Sequence, residues 1–325
     1  MDIGIFTITM LLNKILDASV VYSFDKRGFL RHKDEYFNEK DIPVHVHNKN
    51  IVITGGTGGI GRALVKQCAR LGFSIWLICR NQRKAETLKS ELIAEGMKED
   101  NWNVILMDLS NLQSVSEGLQ QIDEISIDVL VHNAGILPTE SSICRVGDYN
   151  VEQATIVNLI TPYVMTKYLE KKSFSSSTRV IWVSSGGMYP VKLNLSQLQS
   201  PMKRFDGVQL YAQTKRAEVI LCQEFAKEES HISLSMHPGW VNTEGVQNSI
   251  PRFYEWSKNS LRTTDQGADT ITWLSVVEES KLHNGAFYFD RDKKDPYILP
   301  FTYESRLTRS QLLHWLDDLS NSLIR

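Results

Sequence analysis

A tyrosine four residues before a lysine can transfer protons when both lie on one helix face. The side chains then meet one turn apart, and the ammonium stabilises the phenolate of a group whose ordinary pKa, about 10, is too high for chemistry near neutrality. The chain repeats this spacing at Tyr22/Lys26, Tyr36/Lys40, Tyr163/Lys167, Tyr168/Lys172, Tyr211/Lys215 and Tyr254/Lys258, so six of its eleven tyrosines satisfy it and spacing alone selects nothing. Position selects. Ser184-Ser185 closes the apolar run Thr178–Val183 and offers a hydroxyl to an oxygen on which charge develops. Tyr211/Lys215 alone lies on the helical run just after it, Gln209–Glu228. Tyr211 and Lys215 are therefore the candidate acid/base pair. The bland alternative is a half-buried helix aromatic beside a snorkelling lysine.

The elements that must position this pair begin at Asn50–Arg62, NIVITGGTGGIGR. Ile51, Val52 and Ile53 form a short apolar run suited to a strand buried on both faces. Thr54 and Gly55 end it, and Gly58, Gly59 and Gly61 precede the helical run Arg62–Leu71. Small residues let the backbone turn sharply and approach a ligand phosphate, which the N–H groups of the next helix then face. Downstream, strands are expected at Ser74–Cys79, Trp102–Met107, Ile127–His132, Thr178–Val183, His231–Met236 and Ala286–Asp290. Helices are expected over Asn81–Glu95, Asn111–Ile122, most of Asp148–Lys172, Gln209–Glu228, Thr264–Val277 and Arg309–Leu323. The alternation reads as α/β: a Rossmann-type, doubly wound, mostly parallel seven-stranded sheet over residues 50–325, preceded by a 1–49 extension. Gly55, Arg80, Asp108, Asn133, Ser185 and Pro238 all follow strands, where such sheets bind ligands.

A cofactor with a free 2′-hydroxyl is usually held by a carboxylate ending the second strand. Cys79 stands there instead and Arg80 follows, a guanidinium able to clamp a 2′-phosphate, so NADP(H) is favoured over NAD(H). Alternatively, Arg80 is a solvated loop charge. Asp108 is placed to accept from an adenine amino group with Leu109 beside the ring, or merely to cap the following turn.

Net charge is −2 and no long basic block appears, which argues against a nucleic-acid surface. The four cysteines are scattered without a CxxC pair, as in an intracellular protein with reduced thiols. His45 and His47 share a strand face, but no third ligand sits nearby for a metal. Ile3–Leu12 is too short for a spanning helix, and Asp2 does not suit the basic start of a secretory signal. A helix packed on the domain's own surface is expected there, with residues 1–22 the candidate for peripheral membrane contact in a cytoplasmic protein. Helix pairing could give a homodimer.

The ordered motifs Thr54-Gly55-x-x-x-Gly59-x-Gly61, Asp108-Leu109, Asn133-Ala134-Gly135, Asn158, Ser185, Tyr211-x-x-x-Lys215 and Pro238-Gly239 resemble the short-chain dehydrogenase/reductase family over about residues 50–325. Arg80 and Gly285-x-Phe287-Tyr288-x-Asp290-Arg291 look like its retinol-dehydrogenase-like branch. The stretches Ser184–Met188, Tyr211–Arg216 and Met236–Trp240 narrow the likeness to one member of that branch. His132 departs from the second asparagine many relatives carry before Asn133.

The resemblance implies hydride transfer between NADP(H) and a carbonyl/alcohol pair. Tyr211 would exchange the proton, Lys215 would also hold the nicotinamide ribose, and Ser185 rather than Ser184 would polarise the substrate oxygen. Asn158 would hold a water linking Lys215 to solvent; the other reading of Asn158 is a buried amide bonded to backbone. Gly55, Thr57, Gly59, Ile60, Gly61, Arg80, Asp108, Leu109, Asn133, Ala134, Gly135, Pro238 and Gly239 would line the cofactor with Tyr211 and Lys215. Trp240, Val241, Val246, Ile250, Phe253, Tyr254 and Trp256, with Met188 and Tyr189, suggest an apolar pocket for a lipophilic substrate. The alternative is a small helix over Pro251–Ser260 that buries its own aromatics. A non-catalytic dinucleotide-binding regulator is the competing function.

Overall fold

The computed structural model describes residues 20–123 and 125–323, so the expected Ile3–Leu12 helix lies outside the described residues. β1 (Asn50–Thr54) forms the centre of a sheet, pairing in parallel with β2 (Ser74–Cys79) on one side and β4 (Val129–His132) on the other. β3 (Trp102–Leu106) extends the sheet beyond β2. β7 (Arg179–Val183), β8 (Ile232–Met236) and β9 (Phe287–Phe289) extend it beyond β4. The order β10-β9-β8-β7-β4-β1-β2-β3 reverses direction between β1 and β4, which opens the crevice a doubly wound sheet uses for ligands.

One expectation needs correction, and one element is added. The sheet has eight strands, not seven, because the chain reverses after β9 into the antiparallel β10 (Asp292–Lys294). Asp-Lys-Lys carries no apolar signal, as suits a charged edge strand. The helix expected over most of Asp148–Lys172 is preceded by a separate hairpin, β5 (Ile143–Val146) with β6 (Tyr149–Glu152). Gly147 at φ 57° makes its turn, and the helix starts at Gln153.

In the described chain α1 is Val20–Phe24, α2 Lys26–Tyr36, α3 Gly59–Leu71, α4 Gln82–Ala94 and α5 Leu112–Leu119. α6 runs through Gln153–Thr155, a π turn at Ile156–Ile160 and Thr161–Glu170. α7 is Leu195–Gln199, α8 Gly207–Phe225, α9 Glu244–Ser249, α10 Pro251–Ser257, α11 Thr264–Val276 and α12 Arg306–Leu323. α3, α4 and α11 pack Leu64, Leu88 and Ile271 on one sheet face; α5, α6, α8 and α12 pack Val115, Leu159, Ile220 and Leu316 on the other. Sandwiched this way, the strands can be apolar on both faces, as the Ile51–Ile53 run requires.

Candidate active site

The turn after β1 is held by the end of β4. Thr54 Oγ1 accepts from the backbone N–H groups of Asn133 (3.1 Å) and Ala134 (3.0 Å), and Asn133 Nδ2 donates to Thr54 O and Gly55 O. This interlock leaves no space for side chains at two positions. A Cβ on Gly61 would lie 2.4 Å from both Asn133 Nδ2 and Gly55 O, and Gly55, at φ 69°, faces the Ala134 backbone. Gly58 and Gly59 instead stand exposed, beside half-buried Thr57 and Ile60. The first backbone bond into α3 runs from Arg62 N to Gly58 O, which leaves the preceding first-turn N–H groups for an anion. A cradle that excludes side chains where backbone approaches, yet stays open at the helix start, fits a dinucleotide pyrophosphate.

At the other end of such a ligand, Arg80 is exposed just past β2, while Cys79 is buried. The next strand end lies alongside, since Met107 N donates to Cys79 O. Asp108 Oδ1 accepts from Ser110 N and Oγ, so this carboxylate also caps its own turn. Leu109 is buried, and its carbonyl accepts from Thr161 Oγ1. Pro238 and Gly239 close the opposite wall, with Gly239 at φ 78° and its N–H donated to His237 Nδ1.

Tyr211 and Lys215 occupy consecutive turns of α8, the ammonium 5.5 Å from the centre of the half-buried phenol ring. Lys215 is itself 2% exposed, and its Nζ donates to Val183 O at 2.9 Å and to Glu218 Oε1 at 2.7 Å. Burial opposes its charge, but Glu218 and Tyr211 outweigh burial and hold its pKa above the ordinary lysine value. The ammonium also lies beside Gly135, whose added Cβ would sit 3.2 Å from Nζ. The two serines divide clearly. Ser184 is buried and donates to Lys215 O (2.8 Å), whereas half-buried Ser185 has its Oγ engaged by Gly187 N at 3.3 Å.

Asn158 sits in the π turn of α6, a distortion frequent at functional sites. Its Oδ1 accepts from Ile136 N, and its Nδ2 donates to Ile136 O and Thr214 Oγ1. The amide is thus a buried clamp on the β4 loop, and its Oδ1 lies with the Lys215 ammonium beside Gly135. Other tyrosines of the same spacing are engaged elsewhere. Tyr163 donates to Asp317 on α12, and both burial and that carboxylate push its ionisation up. Lys258 pairs with Glu255, and the Tyr22 ring lies under Arg27.

Of the residues expected beside substrate, Met188 and Tyr189 are buried with Phe24, Val219 and Phe287. α10 leaves its aromatics partly exposed. Trp240, Phe253 and Trp256 cluster with ring centres 5.0 to 5.9 Å apart, and Trp256 remains 64% exposed.

Residues 23–32 supply a wall that the sequence motifs did not announce. The Phe24 ring packs against Gly186, where a Cβ would lie 2.6 Å from it, and lies 4.5 Å from His237. Arg262 fixes this segment by donating to Ser23 O and Phe24 O and by a bidentate pair with Asp290. His32 Nδ1 meets the same carboxylate at 2.6 Å. Asp290, 2% exposed, is held below the ordinary carboxyl pKa because Arg262 and His32 outweigh the opposing effect of burial. His45 and His47 lie close, but no group of three metal-ligating side chains occurs among the described residues. None of the described helices is long and apolar enough to cross a membrane.

Comparison with known proteins follows this geometry. Residues 49–252 match the short chain dehydrogenase family. The chain is 35% identical over 313 residues to dehydrogenase/reductase SDR family member 12 of Bos taurus, covering 93% of this chain and 96% of that one. It is 28% identical over 255 residues to retinol dehydrogenase 12 of Mus musculus, covering 76% and 79%. Among solved structures, a short chain dehydrogenase from Burkholderia cenocepacia in complex with NADP aligns with a TM-score of 0.57 at 20% identity, covering 74% and 94%.

Proposed function

Since the chain belongs to the short-chain dehydrogenase/reductase family, we propose that it is an NADP(H)-dependent oxidoreductase interconverting a lipophilic alcohol and its carbonyl compound. The nicotinamide, when bound, supplies or takes up hydride. The Gly58–Gly61 turn would hold the pyrophosphate, Arg80 the 2′-phosphate, and Asp108 the adenine amino group through its second oxygen. Tyr211 gives the substrate oxygen its proton in reduction and takes it back in oxidation, while Ser185 Oγ holds that oxygen as charge develops. Lys215 stabilises the phenolate and positions the ribose.

One observation carries the proposal: a buried ammonium beside a tyrosine ring, between the ends of β4 and β7, on α8, the second helix after the serine-bearing strand. Exposed Trp256 and its aromatic neighbours, together with the retinol dehydrogenase likeness, support a lipophilic substrate. The test is NADPH consumption with long-chain aldehydes and retinal, and NADP reduction with the matching alcohols. Turnover with at least one pair, faster with NADP(H) than NAD(H), is expected. NADPH binding with no turnover across the panel would favour the non-catalytic reading.

A further inference from the structure

We propose that Glu218 is a positioning residue of this site: the buried counter-ion that holds the Lys215 ammonium charged and pinned to the carbonyl of Val183. The inference rests on the role given above to Lys215. Glu218 stands one turn after Lys215 on α8, with both side chains 2% exposed and Nζ to Oε1 at 2.7 Å. Two of the three ammonium donors are therefore spent inside the protein, on Glu218 and Val183.

A buried ammonium without a counter-charge gives up its proton rather than remain desolvated. The groups facing Lys215 leave that task to Glu218. On its own helix there is Tyr211, and from β4 comes His132, whose pKa is pushed down to about 3, mainly by burial. α6 presents the neutral amide of Asn158, whose Oδ1 lies with the Lys215 ammonium beside Gly135, and β7 the Val183 carbonyl. Glu218 is the carboxylate that acts on the ammonium, by charge and by hydrogen bond. Its own carboxyl is pushed up to about 7 by burial, against the pull of Lys215, and Oε2 is buried without a partner among the described residues.

The sign follows directly. Glu218→Gln removes the charge that raises the Lys215 pKa and leaves the burial that lowers it, so Lys215 deprotonates at lower pH. The test is NADPH titration by fluorescence at about pH 7 and about pH 9 for wild type, Glu218→Gln, Glu218→Asp and Lys215→Met, with a thermal melt of each. Wild-type affinity should change little between the two, whereas Glu218→Gln should bind about tenfold more weakly at the higher pH, equivalent to one pKa unit. Glu218→Asp, which keeps the charge one methylene further back, should show a smaller alkaline loss. A purely structural role would lower the melting temperature without altering this pH dependence. Folded Glu218→Gln with wild-type pH dependence overturns the inference. If Glu218→Gln does not fold, Glu218→Met, which also removes the charge, is read in its place, and wild-type pH dependence in that variant overturns the inference. Lys215→Met that binds as tightly as wild type at both pH values refutes the role of the lysine, and this inference with it.

Discussion

The two sides of the crevice are built from different materials. The glycine-turn side is backbone and small residues: Thr54, Gly55, Asn133 and Ala134 interlock through bonds between side chain and main chain, Gly61 leaves no room for a Cβ, and the positions at Gly58 and Gly59 are open. The substrate side is held by buried charge. Arg262, Asp290 and His32 tie three distant parts of the chain together, and the Arg262 to Phe24 bond spans 238 residues. Its hairpin turn also places Asp290 (φ 51°) and Arg291 (φ 59°) in the left-handed region. Such conformations cost about 1–3 kcal/mol each and persist where surrounding contacts over-determine them. Here Asp290 has Arg262 and His32, and Arg291 has a two-bond pair with Asp269. The difference teaches that both walls rest on contacts between distant parts of the chain, the cradle through neutral hydrogen bonds between strand ends and the opposite wall through buried ion pairs.

The largest effect should separate the two sides. Asp290→Asn leaves buried Arg262 short of its anion and should cost about 3–5 kcal/mol. Thermal melting should show that loss, limited proteolysis should open near residues 20–36, and NADPH affinity of the folded protein should stay within about twofold. An equal collapse of NADPH binding would mean that the sides are one unit. Next, Gly61→Ala forces a Cβ against Gly55 O and should cost about 1–3 kcal/mol through overpacking. NADPH titration should weaken more than tenfold, equivalent to more than about 1.4 kcal/mol, while residues 20–36 stay protected from protease. Arg80→Ala should weaken NADPH by about tenfold and leave NADH unchanged. A matching loss for both would move Arg80 from phosphate recognition to folding.

The smallest effect sharpens the comparison through pH. A depressed carboxyl such as Asp290 contributes stability that is present above the unfolded pKa of about 4 and lost as pH falls through its lower folded value. Wild type should therefore lose melting temperature more steeply than Asp290→Asn below about pH 4. Parallel slopes would show that Asp290 does not carry the acid sensitivity.

The sheet was legible because Ile51–Ile53, Ser74–Cys79 and Thr178–Val183 are apolar runs buried on both faces, bounded by polar turns. β10 was not, since its charged residues gain their place from pairing with β9. The hairpin β5–β6 was hidden because Tyr149–Glu152 joins a helical pattern across its boundary. Within the site, position singled out Tyr211 and Lys215 among six equal spacings. Glu218 belongs to none of the spaced motifs, although its neighbours Ala217, Val219, Ile220 and Leu221 are apolar and signal burial. Phe24, His32 and Arg262 gave no local signal at all, because their roles arise from contacts far apart in sequence.

The central claim, proton exchange by Tyr211 in NADP(H)-linked hydride transfer, is tested most directly by pairing one substitution with two readings. Tyr211→Phe keeps the ring and removes the hydroxyl, so NADPH fluorescence titration should match wild type. With any carbonyl substrate that wild type reduces, NADPH consumption should fall at least a thousandfold, equivalent to about 4 kcal/mol of transition-state stabilisation. Turnover in Tyr211→Phe within tenfold of wild type would contradict the assignment.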